Sequence, residues 1–491
     1  MAKAKSTKST TGKTTGKKEK LSDKLFFNLK NCWEVLNEKT ETEIAETEKE
    51  IAELASSYKN FLDMGKTERE CVETICALLE KNGFVNIDNI TQKTYKPGMK
   101  VYQNIRGKSV IAAIIGKKGA ANGCNILGAH LDSPRLDLKQ KPLYEDSDLA
   151  LFDTHYYGGI KKYQWTAIPL SMHGVFINES GKKTVIKIGE EPGDPVFTIT
   201  DLLPHLAKEQ MDKKASAAVE GEDLDILIGS RPYDKDEKEK EKVKLYILAL
   251  LNEKYGITEK DFISAEIEFV PAFKASDVGF DRSMIGAYGH DDRCCVWPAV
   301  QAILSIANEK TIPEKTLVCY LSDKEETGSA GNTGARSLNF QNFLTMLCET
   351  EAQARLCFTN SSMLSADVNA AFDPTYAGVF DKKNVSFLGK GIVLEKYTGS
   401  GGKYGASDAN AEYCAKVQAI LNRNKIQWQC GELGKVDKGG GGTIALYAAN
   451  LGIDVLDCGV PVLSMHSPFE VISKIDLYMT LKGYIAFLKD A

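Results

Sequence analysis

Five short fragments, lying between positions 128 and 468, constrain this chain more than any other feature of its sequence. They are Gly128-Ala-His-Leu-Asp-Ser-Pro134, Gly289-His-Asp-Asp-Arg293, Ser322-Asp-Lys-Glu-Glu-Thr-Gly328, Ser365-Ala-Asp367 and Ser464-Met-His-Ser-Pro468. Together they hold three histidines and seven acidic residues, mostly flanked by small or turn-forming residues. The whole chain has only six histidines, so three inside such fragments is informative. If the fragments act together, the fold must bring remote stretches of chain to one place.

The pattern between the fragments indicates how. Asp23 to about Met64 reads as helix, with Phe27, Leu29, Trp33, Leu36, Ile44, Ile51 and Leu54 near helical spacing. Thr67 to Glu80 reads as another, closed by Asn82-Gly83. Strands are expected at Ser109–Ile115 and Cys124–Ala129, which sets His130 just past a strand end. Thr316–Leu321 and Ile453–Leu456 read as strands, Cys294–Asn308 and Ala411–Leu421 as helices. Asp291-Asp292 suit the N-terminus of the helix after them, and Pro298 is tolerable near its first turn. The chain closes in an amphipathic helix with Ser473 as cap and Asp476 three residues on. Its apolar face is Leu477, Leu481, Tyr484, Ile485 and Leu488. Strands alternating with helices predict an α/β sandwich, a mixed central sheet flanked by helices. Residues just beyond strand ends suit the carboxyl edge of such a sheet.

Between about Lys139 and Ile263 the character changes. Aromatic and β-branched residues alternate with turns through Tyr156–Ile188, and a charged stretch runs from Ser230 to Lys244 before a helical Leu245–Tyr255. None of the five fragments falls there. The region reads as an inserted domain whose charge run is a solvated loop or helix face. The expected organisation is a disordered basic tail over residues 1–20, one domain from 21–138 and 264–491, and an insertion over 139–263.

Composition excludes several classes. A net charge of −5 gives no reason to expect nucleic-acid binding, and no apolar run reaches 18 residues, so no membrane span is expected. Lys, Ser, Thr and Gly dominate the first twenty residues, which lack the apolar stretch of a secretory signal and the arginines of a transit peptide. Twelve cysteines occur without a CxxC pair. They read as free, mostly buried thiols in a reducing, cytoplasmic compartment.

A pair of divalent cations about 3.5–4 Å apart needs a carboxylate between them and further His or carboxylate ligands on each. His130, Asp291, Glu326, Asp367 and His466 make a complete set of five for two such positions. Asp132, two residues after His130, would orient that imidazole. Of the adjacent Glu325 and Glu326, one should ligate while the other stays free to deprotonate water. Each piece alone has an ordinary reading: a structural histidine, a helix cap with a surface pair, a solvated Glu-Glu. His290 takes the structural reading too. The Gly399-Ser-Gly-Gly-Lys403 stretch misses the phosphate-loop pattern, since Tyr397 holds the early Gly position and Tyr404 follows Lys403. With Gly439–Gly442 it reads as close-approach loops lining the site. No His-Glu-x-x-His or Gly-x-Ser-x-Gly occurs.

The order and wording of the fragments resemble the M18 family of metalloaminopeptidases, the aspartyl aminopeptidase group among the cocatalytic zinc exopeptidases. The Gly-Ala-His-Leu-Asp-Ser-Pro, Glu-Glu-Thr-Gly-Ser, Ser-Ala-Asp and Ser-Met-His-Ser stretches carry the resemblance, which spans roughly Leu25 to Leu488. It implies a zinc-exopeptidase-like α/β catalytic domain with an inserted β-rich dimerisation domain. It implies two divalent metal ions, zinc first, with manganese or cobalt as alternatives. By the resemblance Asp291 is the bridging ligand, His130 and Asp367 complete one metal, and Glu326 and His466 the other. Glu325 is then the general base and Asp132 the orienter of His130. The implied activity is removal of N-terminal residues from peptides. The implied assembly is a homododecamer built from dimers, with the active sites facing its interior.

Two departures bear on substrate. In the family, the segment resembling Tyr157-Gly-Gly-Ile-Lys-Lys-Tyr163 carries a histidine that reaches a neighbour's active site. Here Lys161-Lys162 stand there; a lysine such as Lys162 could still stabilise an oxyanion, and His155, just upstream, reads either as a structural or surface histidine or as a substitute. Acid-preferring members carry a lysine in the segment resembling Gly391-Ile-Val-Leu-Glu395, where this chain has Glu395 followed by Lys396. These four residues are the candidate substrate contacts, and acidic, neutral and basic N-terminal residues all stay open. The competing readings are an amidohydrolase or carboxypeptidase on the same metal core, and a non-catalytic assembly protein that keeps the fold.

Overall fold

A computed structural model describes residues 21, 25–90, 95–234 and 239–491. The expected basic tail and the centre of the charge run lie outside these residues. Four adjacent parallel strands, Thr316–Ser322, Cys124–His130, Ser362–Ser365 and Asp454–Gly459, form the middle of a nine-stranded sheet. Successive side chains leave a strand on opposite faces. Accordingly Leu127, Ala129, Leu317, Cys319 and Leu321 enter one core while Cys124, Ile126, Val318 and Tyr320 enter another. Burial on both faces is why these strands read as unbroken apolar runs. Val85–Asn86, Lys100–Ile105 and Ser109–Ile114 extend the sheet on one side, Ile392–Glu395 and Trp428–Cys430 on the other. Parallel and antiparallel pairs both occur, so the sheet is mixed, as expected.

Helices Glu41–Met64, Glu68–Lys81, His290–Ala307 and Lys474–Asp490 supply the first core, and Asn339–Met346, Glu351–Asn360 and Ala445–Ala449 the second. The helix expected from Asp23 to Met64 is interrupted: Cys32–Asn37 is separate from Glu41–Met64. Thr40 causes the break by starting the second helix. Its hydroxyl accepts the Glu43 N–H at 3.3 Å, and the Thr40 N–H donates to the Glu43 carboxylate at 3.0 Å. Thr67 and Glu70 repeat the device on the next helix. At the last helix Ser473 occupies the cap position but its side chain makes no cap bond. Buried Asp476 is turned elsewhere, accepting the N–H groups of Gly389 (2.6 Å) and Gly391 (2.7 Å) before strand Ile392–Glu395.

A second sheet has seven antiparallel strands and its own apolar core, including Phe152, Trp165, Phe176 and Phe269. Strands Arg135–Asp146 and Glu266–Pro271 pair in its interior, so the chain enters and leaves this sheet through neighbours. The break expected near Lys139 falls inside the first, and that near Ile263 just before the second. Helix Lys242–Tyr255 packs beside strands Leu149–Tyr157 and Ile226–Gly229.

A third, five-stranded sheet joins Ser276–Val278, Met284–Ala287, Glu470–Ser473, Pro461–Leu463 and Asn369–Ala370. Strands of two to four residues carry no readable period, which is why sequence reasoning did not find it. All twelve cysteines are free, nine of them buried. Among the described residues, no helix is long and apolar enough to cross a membrane.

Candidate active site

The four parallel strands end on one edge, where the first, third and fourth fragments lie; residues 289–293 open a helix after strand Met284–Ala287, and residues 464–468 join strands Pro461–Leu463 and Glu470–Ser473 of the third sheet. His130 is the last residue of its strand, not the first beyond it, and is level with Ser322 on the adjacent strand. Glu325 and Glu326 follow Ser322 in the short turn Glu325–Thr327, entered at Lys324 and left at Gly328, both in the left-handed region. Asp367 lies two residues past strand Ser362–Ser365. A Cβ on Gly459 would collide with the main-chain oxygen of Asp367, so glycine lets that strand end approach the loop. Asp291 and Asp292 stand in the first turn of helix His290–Ala307 with non-helical backbone.

His130 Nε2 lies 3.1 Å from Asp291 Oδ1 and 3.8 Å from Asp367 Oδ1. His466 Nε2 lies 3.2 Å from Asp291 Oδ2 and 3.5 Å from Glu326 Oε2. Asp291 thus presents one oxygen to each imidazole. The other ring nitrogens are engaged outward. His130 Nδ1 is 3.0 Å from the main-chain oxygen of Asp132 and 3.4 Å from its carboxylate; His466 Nδ1 is 2.8 Å from the Gly159 carbonyl. Bonds of this kind select the nitrogen that faces inward. The Asp132 carboxylate also accepts the N–H groups of Glu325 (3.1 Å) and Glu326 (3.2 Å), so it contacts the turn as well as lying near the ring.

Buried Glu470 spans the two halves. Its carboxylate accepts the His466 N–H at 2.7 Å and the Asp291 N–H at 3.1 Å. His466 and Ser464 both hold positive φ, +63° and +58°. Such backbone costs a non-glycine residue about 1–3 kcal/mol and persists only where surroundings enforce it. The Glu470 bond is one such restraint.

Electrostatics set the members apart. Burial opposes ionisation of Asp291, but the two imidazoles outweigh it and hold the carboxyl well below the usual range. Burial pushes Glu325 up to about 7. Burial and neighbouring acids push Glu326 and Asp367 well above an ordinary carboxylate. Against burial, Asp291 and Glu326 raise His466 to about 11. Excess negative charge gathered out of water calls for a cation. Ligand atoms of His130, Asp291 and Glu326 lie within 4.8 Å of one another, as do those of His130, Asp292 and Asp367. Glu326 Oε1 is buried with no hydrogen-bond partner among the described residues. This nitrogen and oxygen donor set fits divalent cations.

Asp291, Glu325, Glu326, Asp367, Glu395 and His466 line one open cavity of about 490 Å³, and among its described lining residues there is no lysine or arginine. Glu395 is buried in the wall, bonded to the Asn369 amide, and burial pushes its carboxyl to about 8. The glycine-rich stretches pair as a small ribbon, Gly399–Ser400 with Gly440–Gly441, and Gly440 to Gly442 line the cavity. Lys396 is half-exposed, paired with Asp408 at 2.8 Å, and lies outside the lining. His155 is exposed on strand Leu149–Tyr157, and Lys162 opens the short turn Lys162–Gln164; neither lines the cavity of its own chain. His290 is buried between the Tyr58 hydroxyl (2.8 Å) and the Ile285 carbonyl (3.0 Å), a structural residue as expected. Sequence reasoning missed Glu470, although it follows the last fragment by two residues. It also left Asp292 at a helix start, whereas its Oδ2 accepts the His130 N–H at 3.2 Å.

The model of the family "Aminopeptidase I zinc metalloprotease (M18)" matches residues 61–488. A probable M18 family aminopeptidase 1 of Clostridium acetobutylicum is 52% identical over 473 residues, covering 95% of this chain and 99% of that protein. The crystal structure of an M18 aminopeptidase from Thermotoga maritima matches with a TM-score of 0.88 and 44% identity, covering 95% of this chain and all of that one. The S. cerevisiae mApe1 dodecamer shares the fold at 21% identity, with a TM-score of 0.71 over 89% of this chain and 96% of that one. Fold and kinship define a metallopeptidase of zinc-exopeptidase-like architecture. The chain belongs to the M18 family of aminopeptidases.

Proposed function

We propose that this aminopeptidase is a cocatalytic dinuclear enzyme that removes N-terminal residues from peptides. One observation carries the reading: Asp291 sits between His130 and His466 with an oxygen toward each. That is the carboxylate two adjacent cations require. On that reading Asp291 would bridge the pair, His130 and Asp367 would help hold one cation, and Glu326 and His466 the other. Zinc is the metal we assign, with manganese or cobalt acceptable to the same donors. When bound, the cations would hold the substrate's free amine, polarise the scissile carbonyl and acidify a water. Glu325 faces the same cavity and makes no contact with either imidazole in the ligand set, so it is the residue left to move protons. It takes one from the attacking water and delivers it to the leaving amine. Asp132 keeps His130 and the Glu325–Glu326 turn in register.

Glu395, in the cavity wall, would meet the substrate's N-terminal side chain, while Lys396 stays paired with Asp408 outside the lining. Residues 21–138 and 264–491 would act as the catalytic domain and 139–263 as the dimerisation insert, a division supported by the second sheet's separate core. The dodecamer of the yeast relative supports a homododecamer here. In that assembly Lys162 or His155 would serve a neighbour's site. Twelve free cysteines fit a cytoplasmic location.

Elemental analysis should find about two zinc ions per chain. Chelator dialysis should abolish hydrolysis of aminoacyl fluorogenic substrates, and zinc should restore it. Full activity with one ion per chain, or cleavage of N-blocked peptides, would overturn the proposal.

A further inference from the structure

Three consecutive residues at the end of strand Leu149–Tyr157, in the second sheet, meet the outer side of the site. The Tyr157 hydroxyl donates to Asp132 Oδ2 at 2.8 Å. The same oxygen accepts the Glu326 N–H, and its partner Oδ1 accepts that of Glu325. Gly158 lies directly against Glu326: a Cβ there would come within 3.3 Å of Glu326 Oε2 and of the Pro134 ring. Its φ of +78° independently selects glycine. Gly159 then presents its carbonyl oxygen to His466 Nδ1 at 2.8 Å. One short stretch of chain therefore touches the Asp132–His130 side and the His466 side together.

Tyr157 is itself held. It pairs with Arg135 across the second sheet, and the guanidinium lies over its ring, 3.9 Å from the centroid. A cation over an aromatic face is attracted by the ring quadrupole. Arg135 is buried and anchored by Asp137 (2.8 Å), Glu68 (3.3 Å) and Glu268 (3.4 Å). The hydroxyl thus projects from a rigid platform, and rigid outer partners are what keep ligands aimed.

We infer that Tyr157, with Gly158 and Gly159 after it, is the positioning element through which the second sheet holds both halves of the metal centre. What that centre does rests on the aminopeptidase reading; the holding does not. The Tyr157 hydroxyl fixes the rotation of the Asp132 carboxylate, which in turn sets the Glu325–Glu326 turn. The Gly159 carbonyl requires a proton on His466 Nδ1 and so leaves Nε2 free to ligate. Tyr157 and Gly158 stand outside the cavity lining, so they act through Asp132 and Glu326, while Gly159 borders the cavity.

Tyr157→Phe removes one hydroxyl and keeps the ring on Arg135. Zinc affinity, read by competition with a chromophoric chelator, should fall about tenfold, with kcat lowered and KM within about twofold. In the metal-free protein, hydrogen exchange at the Glu325 and Glu326 amides should quicken while the parallel strands keep their protection. Wild-type zinc affinity together with unchanged exchange at those two amides would overturn the inference. A wild type that binds zinc but hydrolyses no free-amine peptide, with Tyr157→Phe still weakening zinc, would sink the aminopeptidase reading and uphold this one.

Discussion

Truncating Glu470 to alanine would strand the buried N–H of Asp291 and free the part-buried N–H of His466. An unsatisfied buried donor costs about 1–3 kcal/mol, and both groups belong to residues that face one point. Glu470→Ala should therefore lower the unfolding midpoint and weaken zinc retention together, as calorimetry and metal titration would record. Glu325→Gln should behave differently: kcat falls by about 10²–10⁴ while metal content and fold stay as in the wild type. Unchanged kcat would remove Glu325 as the base. The contrast explains what sequence could show at this scale. Acids beside Gly, Ser and Pro in the five fragments stand out because tight turns and chemistry coincide there. Glu470, inside the short strand Glu470–Ser473, looks like any strand residue, and only folding reveals that it accepts the amides of Asp291 and His466.

At the scale of elements, His173 joins helix Glu68–Lys81 to the second sheet. It is buried, 2.8 Å from Glu70 and 3.3 Å from Glu190. Burial disfavours its charge, but Glu190 and Glu70 prevail and raise its pKa above the ordinary value. A raised histidine contributes stability that is fully present below about pH 6.5 and lost as pH climbs through the folded value. The urea midpoint of the wild type should therefore decline above neutrality more steeply than that of His173→Gln; parallel slopes would refute this. Elements with strong periodicity or caps were legible: helix Glu68–Lys81 and strands Cys124–His130 and Thr316–Ser322 lie within a residue or so of expectation. The Thr40–Glu43 capping box was also written in the sequence, yet apolar spacing running through it hid the break. The third sheet was not legible, since its short strands exist only by pairing with remote partners.

For the whole molecule, a homododecamer predicts a particle of about twelve chains of 53.9 kDa each, measurable by light scattering or native mass spectrometry. A stable monomer that is fully active would contradict it. The α/β class was readable from alternating elements, and the carboxyl-edge site from fragments placed after strands. The convergence itself was not, because it depends on which strands become neighbours. Here Cys124–His130 lies between Thr316–Ser322 and Ser362–Ser365, segments far along the chain. That adjacency has a consequence for how the enzyme matures. The candidate site is built by strands far apart in the chain, so it cannot exist until the last of them has paired. A half-made chain would therefore carry the separate fragments yet hydrolyse nothing, and activity should emerge only with the completed sheet.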